Sequence, residues 1–177
     1  MTATQPLSRP GPRLTASGLA RVVVGIDDTD GGVAALRWAV DFARARRLPL
    51  VAVRAWDLGL PRHGGRRHGR AGGAPVVLVF DGAQERAAAL KLAKHTFTAA
   101  VGGVPPDLEV AVETPGGNPG QVLTSAASQD GDVLVVGTRR GLRWSRALHG
   151  SVSAYCARHA SRPVVVVGGT PGRRTGR

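Results

Sequence analysis

The sequence predicts an α/β fold in which an open, five-stranded parallel sheet is covered by helices on both faces. Five short apolar runs alternate along the chain with segments of helical periodicity, and this alternation is typical of βαβ units. Several of these runs are almost continuous in Val, Leu and Ile, as expected for strands buried on both faces. A chain of 177 residues, 42% of them hydrophobic, is long enough to form one such domain.

The predicted strands are the apolar runs themselves. They comprise residues 21–26, 50–56, 108–112, 132–137 and 163–167. A further apolar run at residues 75–80 fits either a short extra strand or the lead-in to the next helix, and the sequence leaves both open.

Each predicted helix has a start signal. Thr29 or Asp30 can cap the first helix, Asp81 the second, and Asn118 the third, while Gly150-Ser151 opens the fourth. The predicted apolar faces, in chain order, are Val33, Leu36, Val40 and Ala43; Leu90, Ala93 and Phe97; Val122, Leu123, Ala126 and Ala127; and Val152, Tyr155, Cys156 and His159.

Composition excludes several classes of protein. One cysteine rules out an internal disulfide and a cysteine-based zinc cluster, and it fits a reducing compartment. The apolar runs are far shorter than the ~18 residues that a membrane span requires. The first twenty residues have no apolar segment typical of a secretory signal. These observations predict a soluble, cytoplasmic protein.

The net charge of +12 is concentrated outside the predicted core. Residues 1–20, 58–75 and 170–177 hold nine arginines and no acidic residue. Their composition predicts disordered tails at 1–19 and 170–177 and a basic, flexible insertion at 58–75 within a domain of residues 20–169. Such segments are weak indicators of nucleic-acid binding, so nucleic acid is not predicted as the main partner.

The residues that could carry a ligand follow the strands. In an open α/β sheet, ligands bind outside the carboxyl ends of strands at the point where neighbouring crossovers leave in opposite directions. Gly137 follows the fourth strand, and Gly150-Ser151 stands at a predicted helix start thirteen residues later. Glycine backbone and a helix N-terminus can both approach a phosphate closely, and the loop between them carries four arginines. The pattern therefore favours a nucleotide-phosphate site.

Four motifs resemble the universal stress protein family. They are Val24-Gly25-Ile26-Asp27, Val136-Gly137-Thr138-Arg139, Gly150-Ser151-Val152-Ser153, and Arg162-Pro163 followed by four valines. The first motif is common in other proteins, whereas the combination of the last three, at this spacing, is specific. The match spans roughly residues 20–168, which is nearly the whole predicted domain.

The resemblance implies a Rossmann-like, adenine nucleotide α-hydrolase-like domain with strand order 3-2-1-4-5. It also implies ATP as the ligand, with Mg accompanying it, and a homodimer formed through the last strand, from Pro163 to Val167. In nucleotide-binding members, the residues that correspond to Asp27 and Ala55 contact adenine, and those that correspond to Val136 and Gly137 lie near the ribose. The phosphate contacts would fall on Arg139, Arg140, Gly141, Gly150, Ser151 and Val152.

The sequence departs from the family's ATP signature at one position. That signature is Gly, two residues, Gly, nine residues, then Gly followed by Ser, Thr or Asn. Gly137 and Gly150-Ser151 fit the outer positions, but Arg140 takes the middle one. Arginine is unfavourable where a positive φ or a close backbone approach is required. Two alternatives preserve binding: the Arg140 side chain contacts the phosphates, or Gly141 takes over after a local shift.

The leading prediction is a regulatory or sensing module of the stress response that binds ATP. No catalytic residue and no metal site are predicted, and ATP hydrolysis would at most be slow, because no general base is placed near the phosphate loop. One alternative is a nucleotide-blind family member that acts as a dimeric interaction protein. Another is association with RNA or DNA through the basic insertion and tails. Asp27 also has a simpler alternative role, as a cap or turn anchor.

Overall fold

Strands and helices alternate throughout residues 19–56, 82–138 and 152–169, which are the residues that the computed structural model describes. In chain order the elements are β1 (Arg21–Gly25), α1 (Asp30–Arg46), β2 (Leu50–Val53), α2 (Gly82–Val101), β3 (Val110–Glu113), α3 (Pro119–Ala126), β4 (Asp132–Thr138), α4 (Val152–His159) and β5 (Val164–Gly168). The strands form one parallel sheet in the order β3-β2-β1-β4-β5. Both the predicted fold class and the predicted strand order are confirmed.

The central strands are buried from both sides of the sheet. On one face Val22 and Val24 pack with α1 and α2, which contribute Leu36 and Phe97 among others. On the other face Val23 packs with Leu123 of α3 and Cys156 of α4. Alternate side chains of a strand point to opposite faces, so one valine run supplies both halves of the core.

Two predicted helix starts are present with their expected caps. The Thr29 hydroxyl accepts a hydrogen bond from the Gly32 amide at 3.2 Å, and α1 follows. The Asn118 side-chain oxygen accepts from the Gly120 amide at 3.0 Å, with Pro119 in the first position of α3. These caps satisfy amides that the first turn of a helix leaves without intrahelical partners.

Two predicted apolar faces are rotated from their true positions. Leu90 is 38% exposed, and Ala89 takes the buried position one residue earlier on α2. On α4, Val152 is 39% exposed and His159 is also exposed, so neither belongs to the core as predicted. The reason on α4 is contact with α3: a Cβ at Gly120 would lie 2.7 Å from Cγ of Tyr155. This close approach turns Ser153, Ala154 and Cys156 inward.

The second strand is shorter than predicted. Its regular ladder ends at Val53, although the Arg54 amide still donates to the Glu113 carbonyl of β3 at 2.9 Å, and an isolated bridge then joins Trp56 to Gly116, beyond the end of β3. The Trp56 indole donates to the Thr114 carbonyl at 2.8 Å. The tryptophan thus extends the pairing of the two strands beyond their regular ends.

Several predictions lie outside the described residues. They concern the two tails, the insertion at 58–75, the apolar run at 75–80, the cap at Asp81 and the helix start at Gly150-Ser151. Within the described ranges, no helix is long and apolar enough to cross a membrane.

Candidate functional site

The carboxyl ends of β1 and β4 form a crevice between two crossovers that leave the sheet on opposite faces. After β1 the chain enters α1, which packs on one face, whereas α4, which follows β4, packs on the other. In an open α/β sheet this switch point is where ligands bind. We call it the C-terminal crevice, defined by the residues that directly follow β1, β2 and β4.

Asp27 lies in the turn between β1 and α1 and is hydrogen-bonded to its other residues. Its Oδ1 atom accepts hydrogen bonds from the Thr29 hydroxyl at 2.6 Å and from the Thr29 amide at 3.1 Å. The same hydroxyl accepts from the Gly32 amide, so Thr29 joins the carboxylate to the first turn of α1. Asp27 is exposed despite these contacts. The side chain therefore anchors the turn and remains accessible to solvent at the carboxyl end of β1.

Backbone from α1 and β4 meets at the centre of the crevice. A Cβ built on Gly137 would collide with the Gly31 carbonyl and would lie 2.8 Å from the Gly32 amide nitrogen. A Cβ on Gly31 would in turn lie 3.0 Å from the carbonyl carbon of Thr138. Only glycine permits this approach. The side of Gly137 where a Cβ would stand is therefore filled by α1, and a ligand would have to meet its backbone from elsewhere.

The other described site residues lie around this centre. The register pairs Gly25 of β1 with Val53 of β2, which brings Asp27 and Ala55 to the same edge of the sheet. Val136 is only 2% exposed, so it supports the crevice from within the core. Val152, the first residue of α4, is exposed.

An arginine also lies at the same edge. Arg54 follows β2 directly, and its Nη2 atom is 3.7 Å from Oδ1 of Asp28. The Arg54 side chain is 15% exposed and the Asp28 side chain is 65% exposed. The pair places one positive and one negative charge beside Ala55. Five predicted phosphate contacts, Arg139, Arg140, Gly141, Gly150 and Ser151, lie outside the described residues.

Gly31 is a contributor that the sequence interpretation missed. The run Asp30-Gly31-Gly32 did contain a usable signal, because two glycines in the first turn of a helix indicate a close backbone approach. Among the described residues, no group of three or more His, Cys, Asp and Glu side chains is arranged to hold a metal ion.

The sequence profile of the universal stress protein family matches residues 18–168. The chain belongs to the universal stress protein family. Two universal stress proteins of Mycobacterium tuberculosis, Rv2623 of strain H37Rv and MT2698 of strain CDC 1551 / Oshkosh, are each 32% identical to it over 154 residues. The alignment covers 82% of this chain and 46% of each relative, so this universal stress protein spans about half the length of the curated relatives it matches.

Solved universal stress protein structures share the fold. One, in complex with cAMP, has a TM-score of 0.57 and 24% identity, and the match covers 86% of this chain and 99% of that one. A universal stress protein of Archaeoglobus fulgidus has a TM-score of 0.54 at 20% identity, with 83% and 97% covered. A third, UspA from Lactobacillus plantarum, has a TM-score of 0.52 at 20% identity, with 84% and 98% covered.

Proposed function

We propose that this universal stress protein domain binds an adenine nucleotide, ATP by preference, in the C-terminal crevice as a regulatory or sensing module of a stress response. The observation that carries the proposal is the convergence of Asp27, Ala55 and Gly137 at the switch point between β1 and β4. The similar structure with cAMP is further support, because that protein belongs to the same family and shares the fold.

In this proposal the base end of the ligand is held by the described residues. Asp27 and the backbone around Ala55 would contact adenine, and Val136 and Gly137 would lie near the ribose. Asp27 fits this role because Thr29 fixes its carboxylate while leaving the side chain exposed. Its second oxygen could then accept a hydrogen bond from the ligand without breaking the turn.

The phosphate end is assigned from the sequence. Arg139, Arg140, Gly141, Gly150, Ser151 and Val152 would contact the phosphates, with Mg bound together with ATP. We assign no catalytic residue, and slow ATP hydrolysis is the most that we expect. We also propose that the domain acts in the cytoplasm.

Calorimetric titration with Mg-ATP, cAMP and AMP tests the proposal. We expect saturable binding by the natural chain, and a loss of about tenfold or more in affinity for Asp27→Ala, which removes one charged hydrogen-bond acceptor. Asp28→Ala is the matched control, since this neighbouring carboxylate points to Arg54 instead. Equal affinities for the two variants would overturn the assignment of Asp27, and a release of phosphate at enzymatic rates would overturn the regulatory role.

A nucleotide-blind domain is the second candidate. It is favoured by Arg140 in the position of the signature's middle glycine. It predicts no heat from any nucleotide with the natural chain. Arg140→Gly distinguishes the two candidates, because it restores binding to a nucleotide-blind domain and weakens binding by a competent one, in which the Arg140 side chain contacts the phosphates.

The proposed partner in either case is a second copy of the chain, joined through residues 163–167. The support is that β5 lies at one edge of the sheet and that its valines are only partly buried. Hydrogen exchange at two protein concentrations, combined with sedimentation, tests this. We expect concentration-dependent protection of β5 but not of β3, the strand at the opposite edge. Equal exchange at both edges would contradict the dimer.

A further inference from the structure

The first helix carries a row of large side chains along one flank. Trp38 and Phe42 stand about one turn apart on α1, and their rings stack with centroids 4.9 Å apart and planes 12° from parallel. The guanidinium carbon of Arg46, about one turn further along, lies 5.5 Å from the centre of the Phe42 ring. We call these three residues the α1 ladder. Trp38 and Phe42 are only partly buried, so the ladder presents an ordered aromatic surface.

The flank of α1 that carries the ladder faces away from α2. On the other flank, Arg37 donates to the Ala100 carbonyl of α2 at 3.0 Å, and Arg44 donates to Asp107, which follows α2, at 2.7 Å. Phe42 precedes Arg44 by two residues, which is a rotation of about 200° around the helix axis. Since α2 packs against β3, and β5 lies at the opposite edge of the sheet, the ladder lies towards the β5 edge.

The valines of β5 continue the surface of the ladder. The helix α1 packs against β5, and Val165 and Val167 border the same core cluster as Trp38 and Phe42. All four side chains are partly exposed. One flank of α1 and one face of β5 therefore form a single apolar surface at the edge of the sheet. Aromatic side chains and arginine, as in the ladder, are enriched at protein–protein interfaces.

The backbone of β5 indicates what kind of group can extend this surface. The Leu134 amide donates to the Pro163 carbonyl at 2.9 Å, so residues 163, 165 and 167 turn their backbone groups towards β4. The backbone groups of Val164 and Val166 point the other way, and no strand lies beyond them in the part of the chain that the structure describes. No charged residue interrupts Val164–Gly168 to discourage pairing. The edge is therefore suited to receive a further strand.

We infer that the α1 ladder forms the side-chain part of a contact between two copies of this chain. The inference rests on the proposed pairing through residues 163–167, and it adds the residues that make this pairing strong and specific. An extended peptide could pair with β5, but it would leave Trp38 and Phe42 uncovered. A second copy brings both a strand and its own ladder. Antiparallel pairing about a two-fold axis makes the contact isologous, so the same surface is used on both sides.

Trp38 is the residue that we expect to contribute most to association. Tryptophan is among the side chains whose truncation most often weakens an interface strongly. Stacking on Phe42 already restricts the Trp38 ring in the single chain. Little conformational entropy is therefore lost when two copies meet.

Sedimentation of the full chain over a range of concentrations, with matched variants, tests the inference. We expect the natural chain to dimerise, and Trp38→Ala to weaken dimerisation by about tenfold or more. Leu90→Ala is the control, because Leu90 is a 38% exposed apolar side chain on α2, away from the ladder. It should leave the affinity of dimerisation unchanged. Equal affinities for Trp38→Ala and Leu90→Ala would overturn the inference.

Val166→Pro separates the role of the ladder from the proposed pairing itself. This substitution removes an outward amide of the edge and leaves the hydrogen bonds to β4 in place, so pairing through β5 should be lost. If Val166→Pro abolishes the dimer while Trp38→Ala does not weaken it, the proposed pairing stands and the role of the ladder is wrong. A natural chain that stays monomeric at every concentration would overturn both.

Fluorine NMR provides a readout that does not depend on the stability of Trp38→Ala. In the full chain labelled with 5-fluorotryptophan, we expect the signal of Trp38, assigned with the conservative variant Trp38→Phe, to shift as the dimer forms. The signal of Trp56, whose ring packs against Gly82 and Gly116, should stay in place. A Trp38 signal that does not change over the concentrations at which the dimer forms would overturn the inference.

Discussion

Gly31 of α1 lies so close to Gly137 of β4 that the Gly31 carbonyl fills the place of a Gly137 side chain, and the Thr138 carbonyl likewise leaves no room for one at Gly31. This contact fixes the first turn of α1 against the exit of β4. It therefore makes Gly137 a packing residue whatever the ligand is.

Gly137→Ala tests this contact. We expect a loss of about 1–3 kcal/mol in the free energy of unfolding, since the new methyl group meets backbone that cannot turn aside as a side chain would. Gly168→Ala is the control, because a Cβ at that position meets nothing within 4 Å. Urea denaturation of both variants gives the comparison. Equal midpoints would show that α1 does not press on Gly137 in solution.

The buried ion pair between Arg21 and Asp132 yields a second prediction. Asp132→Ala leaves a largely buried guanidinium without its carboxylate, and we expect a loss of about 3–5 kcal/mol in the free energy of unfolding. The exposed pair between Arg44 and Asp107 provides the control. Asp107→Ala should lower the free energy of unfolding only slightly. High salt, which screens exposed charges, should remove this small difference between Asp107→Ala and the natural chain. Similar losses for the two variants would contradict the role of burial.

Because of its single cysteine, the protein should become less stable as the pH rises into the alkaline range. Burial raises the pKa of Cys156 from 9.0 to about 11. The unfolded chain loses the thiol proton at a lower pH than the folded chain does. The contribution of Cys156 to the free energy of unfolding is therefore complete below pH 9 and falls as the pH rises towards 11. Urea unfolding from pH 8 to 11 should show this decline in the natural chain, with a smaller slope in Cys156→Ala.

Alkylation of the same thiol provides an independent check. We expect iodoacetamide to react slowly with the folded chain at pH 8 and rapidly once urea unfolds it, because a buried thiol is both inaccessible and protonated. Rapid labelling of the folded chain would show that the core opens at α4.

Trp56 and Gly82, the described residues on either side of residues 57–81, lie against each other. A Cβ on Gly82 would lie 2.9 Å from the Trp56 ring, so the two ends of this segment are in contact. Replacing residues 58–80 by a flexible linker of about six Gly and Ser residues should therefore preserve the fold. Circular dichroism and thermal unfolding measure the outcome. A loss of cooperative unfolding would show that the segment contributes to the core.

Much of the fold followed from local signals in the sequence. The valine run of β1 and the apolar run of β4 predicted buried parallel strands, and Asn118 with Pro119 predicted the start of α3. Caps and apolar strand runs involve only a few neighbouring residues, so they can be recognised without knowledge of the rest of the chain. The motifs that resemble the universal stress protein family then predicted the strand order.

Helix rotation could not be predicted in the same way. Leu90 and Val152 each have the helical spacing of a buried residue, yet both are more than a third exposed. On α4 the rotation is decided by contact with α3, where Tyr155 packs over Gly120. Such contacts join residues far apart in sequence, and hydrophobic spacing alone leaves the angle of a helix open.

The sequence by itself determined the class of the sheet, the places where two helices begin, and the family to which the chain belongs. Tertiary structure decided which backbone segments meet. It brought Gly31 against Gly137 and enclosed Asp132 beneath Arg21. The physical reason is the sequence separation over which each interaction acts. Caps and strand periodicity depend on neighbouring residues, whereas close backbone approach and buried charge pairing depend on how whole elements pack.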